Sequence, residues 1–206
     1  NGKHAFAQTL AAARYPLVIV GQAAARRTDG RVVLSAAARI AMTASTGKDM
    51  GAAAFNVLHT AAGRTGALDL GFVPVGAGAL DAAGMMAAAG AGTLDVLFLL
   101  GADEIDTTRL ASSFVIYLGS HGDACAQRAD VILPGAAYTE KTATYVNTEG
   151  RVQMTRKAAF APGAAKEDWT ILRALSEHAG NKLPYDDIAA LRKAMYAKAP
   201  RLARLS

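Results

Sequence analysis

Asp95-Val-Leu-Phe-Leu-Leu-Gly101, Phe114-Val-Ile-Tyr-Leu-Gly119 and Asp130-Val-Ile-Leu-Pro134 are three short apolar runs, each closed by Gly or Pro. None alternates strictly between apolar and polar residues. Continuous runs of this kind read as strands buried on both faces, and they predict a parallel sheet covered by helices. Pro16-Leu-Val-Ile-Val-Gly21 reads as a fourth such strand. Helical spacing fills the gaps: Lys3–Arg14 with Phe6 and Leu10, Arg31–Ser45 with Val32, Val33, Ala36 and Ile40, Ala53–Ala62 with Phe55 and Leu58, Leu80–Ala89 with Met85 and Met86, and a short His121–Ala129. Strand, helix and strand in alternation predict a doubly wound α/β sheet.

After Pro134 the character changes. Thr144-Tyr-Val-Asn147 and Arg151-Val-Gln-Met-Thr155 flank Thr148-Glu-Gly150, which reads as a small β-hairpin. Ala161-Pro-Gly163 reads as a linker. Lys166–Ala179 carries Trp169, Leu172 and Leu175 at helical spacing, with Gly180 where a C-cap glycine belongs. Asp186–Lys198, with Ile188, Leu191 and Met195, reads as a last helix. The expected division is therefore an α/β sheet region over 1–134, and a hairpin segment with C-terminal helices over 135–206, packing on the same domain.

The 206 residues are 52% hydrophobic and 19% charged, with a net charge of +5, which excludes a disordered chain. The clean apolar run Val96–Leu100 is far short of the ~20 residues that span a bilayer. Cys125 is the single cysteine, so neither an internal disulfide nor a four-thiolate iron–sulfur cluster can form within the chain. The four histidines show no ligand spacing, and no metal site is expected. Forty-eight residues are alanine, which blurs helical periodicity. Residues 182–206 hold six Lys/Arg against two Asp/Glu, and read either as a solvated tail or as a docking arm for an acidic partner. Aromatics are not interleaved with the basic residues, so nucleic-acid binding is not expected.

The strand ends Gly21-Gln22, Gly101-Ala-Asp103, Gly119-Ser-His121 and Pro134-Gly135 mark the edge of a parallel sheet where ligands bind, and equally the turns that any such sheet needs. Gly76-Ala-Gly78 and Gly90-Ala-Gly92 lack the third glycine of the dinucleotide fingerprint, and no GxxxxGK[ST] loop exists. Ser120, His121, Asp123 and Cys125 lie too close together in sequence to mark a nucleophilic relay, and no catalytic residue is assigned. The richest polar stretch is Thr139–Gln153, where Glu140, Asn147, Glu149, Arg151 and Gln153 stand among small and apolar residues. It reads either as a hydrogen-bonding wall for a polar ring system, with Arg151 anchoring an anion, or as a loop satisfying itself.

Ala129-Asp-Val-Ile-Leu-Pro134, Glu140 and Asn147-Thr-Glu-Gly-Arg-Val-Gln153 together resemble the molybdopterin oxidoreductase superfamily. Leu133–Lys141, Ala143–Arg151, Glu167-Asp-Trp169, Ile171–Glu177 and Leu183-Pro-Tyr185 narrow the resemblance to the large iron–sulfur (75-kDa) subunit family of respiratory NADH:quinone oxidoreductase, complex I. Leu99–Asp103, His121–Asp123 and Pro16–Gly21 resemble the same family, so the likeness runs along essentially the whole chain.

This resemblance implies that the chain, which begins with Asn, is a C-terminal piece of a longer subunit. The iron–sulfur clusters are expected in the missing N-terminal part, and no cofactor in this fragment. It implies a structural role in an electron-transferring complex, with other subunits of the peripheral arm as partners. The implied location is the cytoplasmic face of a bacterial inner membrane, held peripherally. Glu140, Asn147, Glu149, Arg151 and Gln153 are then either vestigial pterin-type contacts or residues kept for structure, and the structural role is the favoured reading for the four from Asn147 to Gln153. Ala143 stands where broader molybdenum families show Gly, which opposes close approach of a pterin. The rival implication is a fragment of a working molybdenum enzyme of formate dehydrogenase type. A plain nucleotide-binding module is the third reading.

Overall fold

The computed structural model describes residues 4–49, 54–110 and 112–204, so Lys3 and Ala53 lie outside the described residues. Two compact units emerge. The first comprises the residues up to Ala67 with Tyr145–Gln153, and the second Leu68–Thr144 with Met154–Arg204. The cut between these units does not fall at Pro134: Tyr145–Gln153 belongs to the first unit, and Thr144 and Met154 to the second.

In the first unit, α1 (Phe6–Ala12), β1 (Val18–Gly21), α2 (Gln22–Ala25), α3 (Gly30–Ser45) and β2 (Phe55–Leu58) follow in order, and α4 (Arg64–Asp69) runs across the cut. β1 and β2 pair in parallel, Val18 opposite Phe55 and Gly21 opposite Leu58. The helix expected over Ala53–Ala62 is corrected here: Phe55–Leu58 is a strand. Flanking alanines imitate helical spacing, but an aromatic residue and a β-branched valine suit a pleated pairing better. The α2–α3 turn is tight enough to require glycine, since a Cβ on Gly30 would stand 2.1 Å from the Ala25 carbonyl oxygen.

In the second unit, α5 (Ala82–Gly90), β3 (Val96–Leu100), a 3-10 turn (Thr107–Leu110), β4 (Phe114–Gly119), α6 (Ala124–Arg128) and β5 (Val131–Pro134) build a three-stranded parallel sheet in sequence order. The hairpin strands are β6 (Thr144–Val146) and β7 (Val152–Met154); α7 (Asp168–His178) and α8 (Ile188–Lys198) come last. Asp81, Asp123 and Asp187 cap α5, α6 and α8 by accepting backbone N–H bonds. Gly180 ends α7 in the left-handed region, at φ 76°, as its position in the sequence predicts.

The β1–β2, β3–β4 and β4–β5 pairings are parallel, as expected. Burial on both faces is confined to the end of β4, where Leu118 is buried on the face opposite Tyr117, and elsewhere the expectation is corrected. Leu97, Leu99, Val115 and Tyr117 are sealed against Ala89, Leu110, Cys125 and Ala126, whereas Val96, Phe98, Leu100 and Phe114 on β3 and β4 stay exposed. Handedness explains this. Right-handed crossovers that advance in one direction, β3 to β4 to β5, place their connections on the same face. Leu110 from the first connection and Cys125 and Ala126 from the second accordingly join one cluster.

Arg128 locks the sealed face. Its guanidinium donates to the carbonyls of Leu110 and Ser113, the latter at 3.0 Å, and pairs with Asp130 at 3.3 Å. Asp130 in turn accepts the Val115 N–H at 2.7 Å, which holds its carboxyl below the usual range. One side chain thus ties the first connection to the start of β5.

Candidate functional site

The C-terminal ends of β3 and β4 bring Asp103, Asp123 and Cys125 together, with their ligating atoms within 4.8 Å of one another. Gly101, at φ 59°, turns the chain out of β3 and donates its N–H to Leu118 at 2.7 Å. Tyr117 is 1% exposed and donates its hydroxyl to the His121 carbonyl at 3.0 Å, which pulls the second loop over the sheet end. Asp123 begins α6 and accepts the Cys125 N–H at 3.2 Å.

The electrostatics of this cluster oppose anionic chemistry. Burial pushes the Asp103 carboxyl above its ordinary range; the Tyr117 hydroxyl works against that, and Asp123 reinforces it. Burial, then the two carboxylates, push the Cys125 thiol up. Tyr117 is pushed up as well, by burial and then by Asp103. A fully buried thiol beside two acids is a protonated, inert thiol. Ser120 Oγ and His121 Nδ1 lie 2.9 Å apart in the open. Asp123 caps α6, and no relay assembles from these residues.

At the equivalent end of the first unit, Gln22 is 8% exposed. Its side-chain oxygen accepts from both the N–H and the hydroxyl of Thr60, at 2.7 and 2.8 Å. This buried pair ties the loops after β1 and β2. The sequence marked Gly21-Gln22 as a strand end but offered no sign of the Thr60 partner, which lies 38 residues on.

The polar stretch Thr139–Gln153 separates into two parts. Glu140, in the second unit, accepts the Ala137 N–H at 2.9 Å while its own N–H returns to the Ala137 carbonyl at 2.9 Å. Asn147, Glu149 and Arg151 meet in the hairpin turn of the first unit. Asn147 Oδ1 accepts the Arg151 N–H at 2.9 Å, the Asn147 N–H donates to the Arg151 carbonyl at 3.1 Å, and Asn147 Nδ2 reaches Glu149 at 3.4 Å. Gly150, at φ 84°, supplies the left-handed residue that this turn needs. Arg151 and Gln153 are exposed. Ala143 is held by Thr155, whose N–H and hydroxyl meet its carbonyl and N–H.

A model of the molybdopterin oxidoreductase family matches residues 1–178. The chain belongs to this family. It is 42% identical over all 206 residues to the NADH-ubiquinone oxidoreductase 75 kDa subunit of Reclinomonas americana, of which it covers 29%. It is 43% identical over 198 residues to the mitochondrial 78 kDa subunit of Candida albicans, and 42% identical over 199 residues to that of Neurospora crassa. Both alignments take in 96% of this chain, with 26% and 25% of the respective relatives. The chain therefore spans under a third of the length of the curated relatives it matches. Among solved structures, acetylene hydratase from Pelobacter acetylenicus aligns with 68% of this chain and 23% of its own at a TM-score of 0.49 and 18% identity.

The family implies a molybdenum–pterin group, and the described residues do not fit one. A molybdenum thiolate ligand must be accessible and deprotonated. Cys125 is sealed in the core, and burial and two neighbouring carboxylates hold its proton on. Asn147 and Glu149, the most suitable donor and acceptor for a ring, are engaged with each other and with the turn backbone. An apolar groove of about 330 Å³ between Leu133 and α7 adds Lys166 and His178 at its margin, but no convergent set of donors.

Proposed function

We propose that this chain is a structural region of the large subunit of an NADH-ubiquinone oxidoreductase, and that it carries no redox centre of its own. The observation that supports this most strongly is the 42% identity over every residue of the chain to a protein named as that subunit. The polar chemistry of Asp123, Glu140 and Asn147 agrees, since these side chains are spent on a cap and on turns, while Arg151 and Gln153 stand exposed. In this reading the whole complex oxidises NADH and reduces quinone, and the iron–sulfur clusters that relay electrons lie in the part of the subunit outside these 206 residues. Its partners are neighbouring subunits of the peripheral arm. No helix among the described residues is long and apolar enough to cross a membrane, which suits a peripheral position, here assigned to the cytoplasmic face of a bacterial inner membrane.

The test is replacement of Asn147 and Glu149 by Ala in the full-length subunit. NADH oxidation per assembled complex is expected to stay within about twofold of the parent. A loss of specific activity in fully assembled complex makes the turn a working cofactor contact and contradicts the proposal.

A further inference from the structure

Resting on the subunit reading above, we infer that the loop Arg156–Phe160, with Tyr138 beside it, is a docking surface for an acidic segment of a neighbouring protein subunit. Phe160 is 90% exposed and Tyr138 72% exposed. Two exposed rings on segments joined through the Thr139 carbonyl make a patch of the kind that marks interaction sites. The loop is well built. Ala158 and Ala159 both donate to the Thr139 carbonyl, at 2.8 and 3.1 Å, and the Lys157 N–H donates to the Thr142 hydroxyl at 3.2 Å. Arg192 of α8 donates to the Thr142 carbonyl at 3.3 Å. Further on, Lys166 bridges back to the end of β5 through Pro134 and Ala136. Both ends of the loop are therefore fixed, and little ordering entropy remains to be lost on binding.

Charge identifies the partner. From Thr155 to Lys166 there are three cations and no acid. Among the described residues neither Arg156 nor Lys157 has a carboxylate partner; nearby, Glu140 is spent on a backbone N–H and Lys141 pairs with Asp168. The Lys157 ammonium sits 4.9 Å from the Phe160 ring centre, which presents cation and ring as one unit. The complement is a carboxylate-bearing segment with an apolar pocket. The basic segment 182–206 is a weaker candidate, because Lys182, Arg192 and Arg201 are already engaged within the chain.

The experiment uses the full-length subunit in cells that assemble the complex. The triple variant R156E/K157E/F160A is compared with the parent for the fraction recovered in the large particle on native gels, at low and high salt. A second variant carries a photo-crosslinking benzoyl-phenylalanine at position 160. We expect incorporation of the triple variant to fall about tenfold or more, as for the loss of a central anchor, with an unchanged unfolding midpoint for the purified subunit. We expect the crosslink to land on an Asp/Glu-bearing peptide of a different subunit. Incorporation within twofold of the parent, or a crosslink to this same polypeptide or to lipid, overturns the inference. Failure of the parent subunit itself to enter a large particle refutes the underlying subunit reading instead.

Discussion

Replacing Arg128 by Ala tests the packing logic of the second unit at its most connected point. The guanidinium serves the carbonyls of Leu110 and Ser113, and these residues are 0% and 4% exposed. The Leu110 carbonyl also accepts the Ser113 N–H, at 3.3 Å, so the Ser113 carbonyl is the one left short of a donor, at a cost of about 1–3 kcal/mol. The Arg128 side chain is itself 25% exposed, so water reaches part of the gap; its surface pair with Asp130 adds at most about 1 kcal/mol. The expected loss is about 1–3 kcal/mol, or about 2–12 °C in Tm for a chain of this size. Urea unfolding of the purified chain, followed by circular dichroism, measures it. Arg128→Lys places a point charge where a fork is required, and is expected to recover no more than about half of the loss. Asp130→Ala in both backgrounds isolates the ion pair, whose coupling is expected below about 1 kcal/mol. A loss under about 1 kcal/mol for Arg128→Ala refutes the claim that the Ser113 carbonyl depends on this side chain.

Asp103→Asn is expected to stabilise the chain at pH 7. Burial raises the folded carboxyl above its unfolded value, so the acid form is favoured on folding and stability falls as pH rises through the folded pKa. The advantage of Asn over Asp vanishes below the unfolded value, about pH 4; an equal advantage at pH 3 and pH 7, seen in pH-dependent urea melts, contradicts the assignment. Gly30→Ala drives a methyl into the Ala25 carbonyl, and is expected to cost about 1–3 kcal/mol as overpacking does, read by thermal melts. Asn147→Ala removes the acceptor for the Arg151 N–H, and is expected to cost about 1 kcal/mol of stability, measured by the same urea titration.

The strands were the most legible part of the molecule. Val96–Leu100, Phe114–Gly119 and Val131–Pro134 form where the apolar runs predict, since clusters of β-branched and aromatic residues bounded by Gly and Pro have few other uses. β2 was hidden because Phe55-Asn-Val-Leu58 follows an alanine run that carries no facial pattern of its own. The open face of β3 was also illegible. Val96-Leu-Phe-Leu-Leu100 is apolar at every position, so the sequence shows no difference between the sealed Leu97 and Leu99 and the exposed Phe98. Only the direction of the crossovers distinguishes them.

At the candidate site, local ties were within reach of sequence reasoning and distant ones were not. Asn147 and Gly150 at the ends of a four-residue turn point to a self-satisfied hairpin, which is one of the two readings of that stretch, and the structure brings Asn147, Glu149 and Arg151 together in that way. Glu140 belongs to the same stretch of sequence but falls in the other compact unit. Gln22 with Thr60, and Arg128 with Leu110, are tertiary pairs between polar groups whose partners no spacing rule supplies. The exposed Phe160 was equally silent, since an aromatic residue in an Ala-Pro-Gly context reads as loop wherever its ring points.

We propose, as above, that this chain supports an NADH-oxidising complex without molybdenum chemistry of its own. Native-gel separation of solubilised membranes tests it most directly, with this chain detected by antibody, NADH oxidation by in-gel stain, and molybdenum by mass spectrometry of the same band. Comigration with a large, NADH-oxidising particle free of molybdenum is expected. A smaller particle that holds stoichiometric molybdenum and does not oxidise NADH contradicts it, and makes the hairpin from Asn147 to Gln153 part of a working cofactor site.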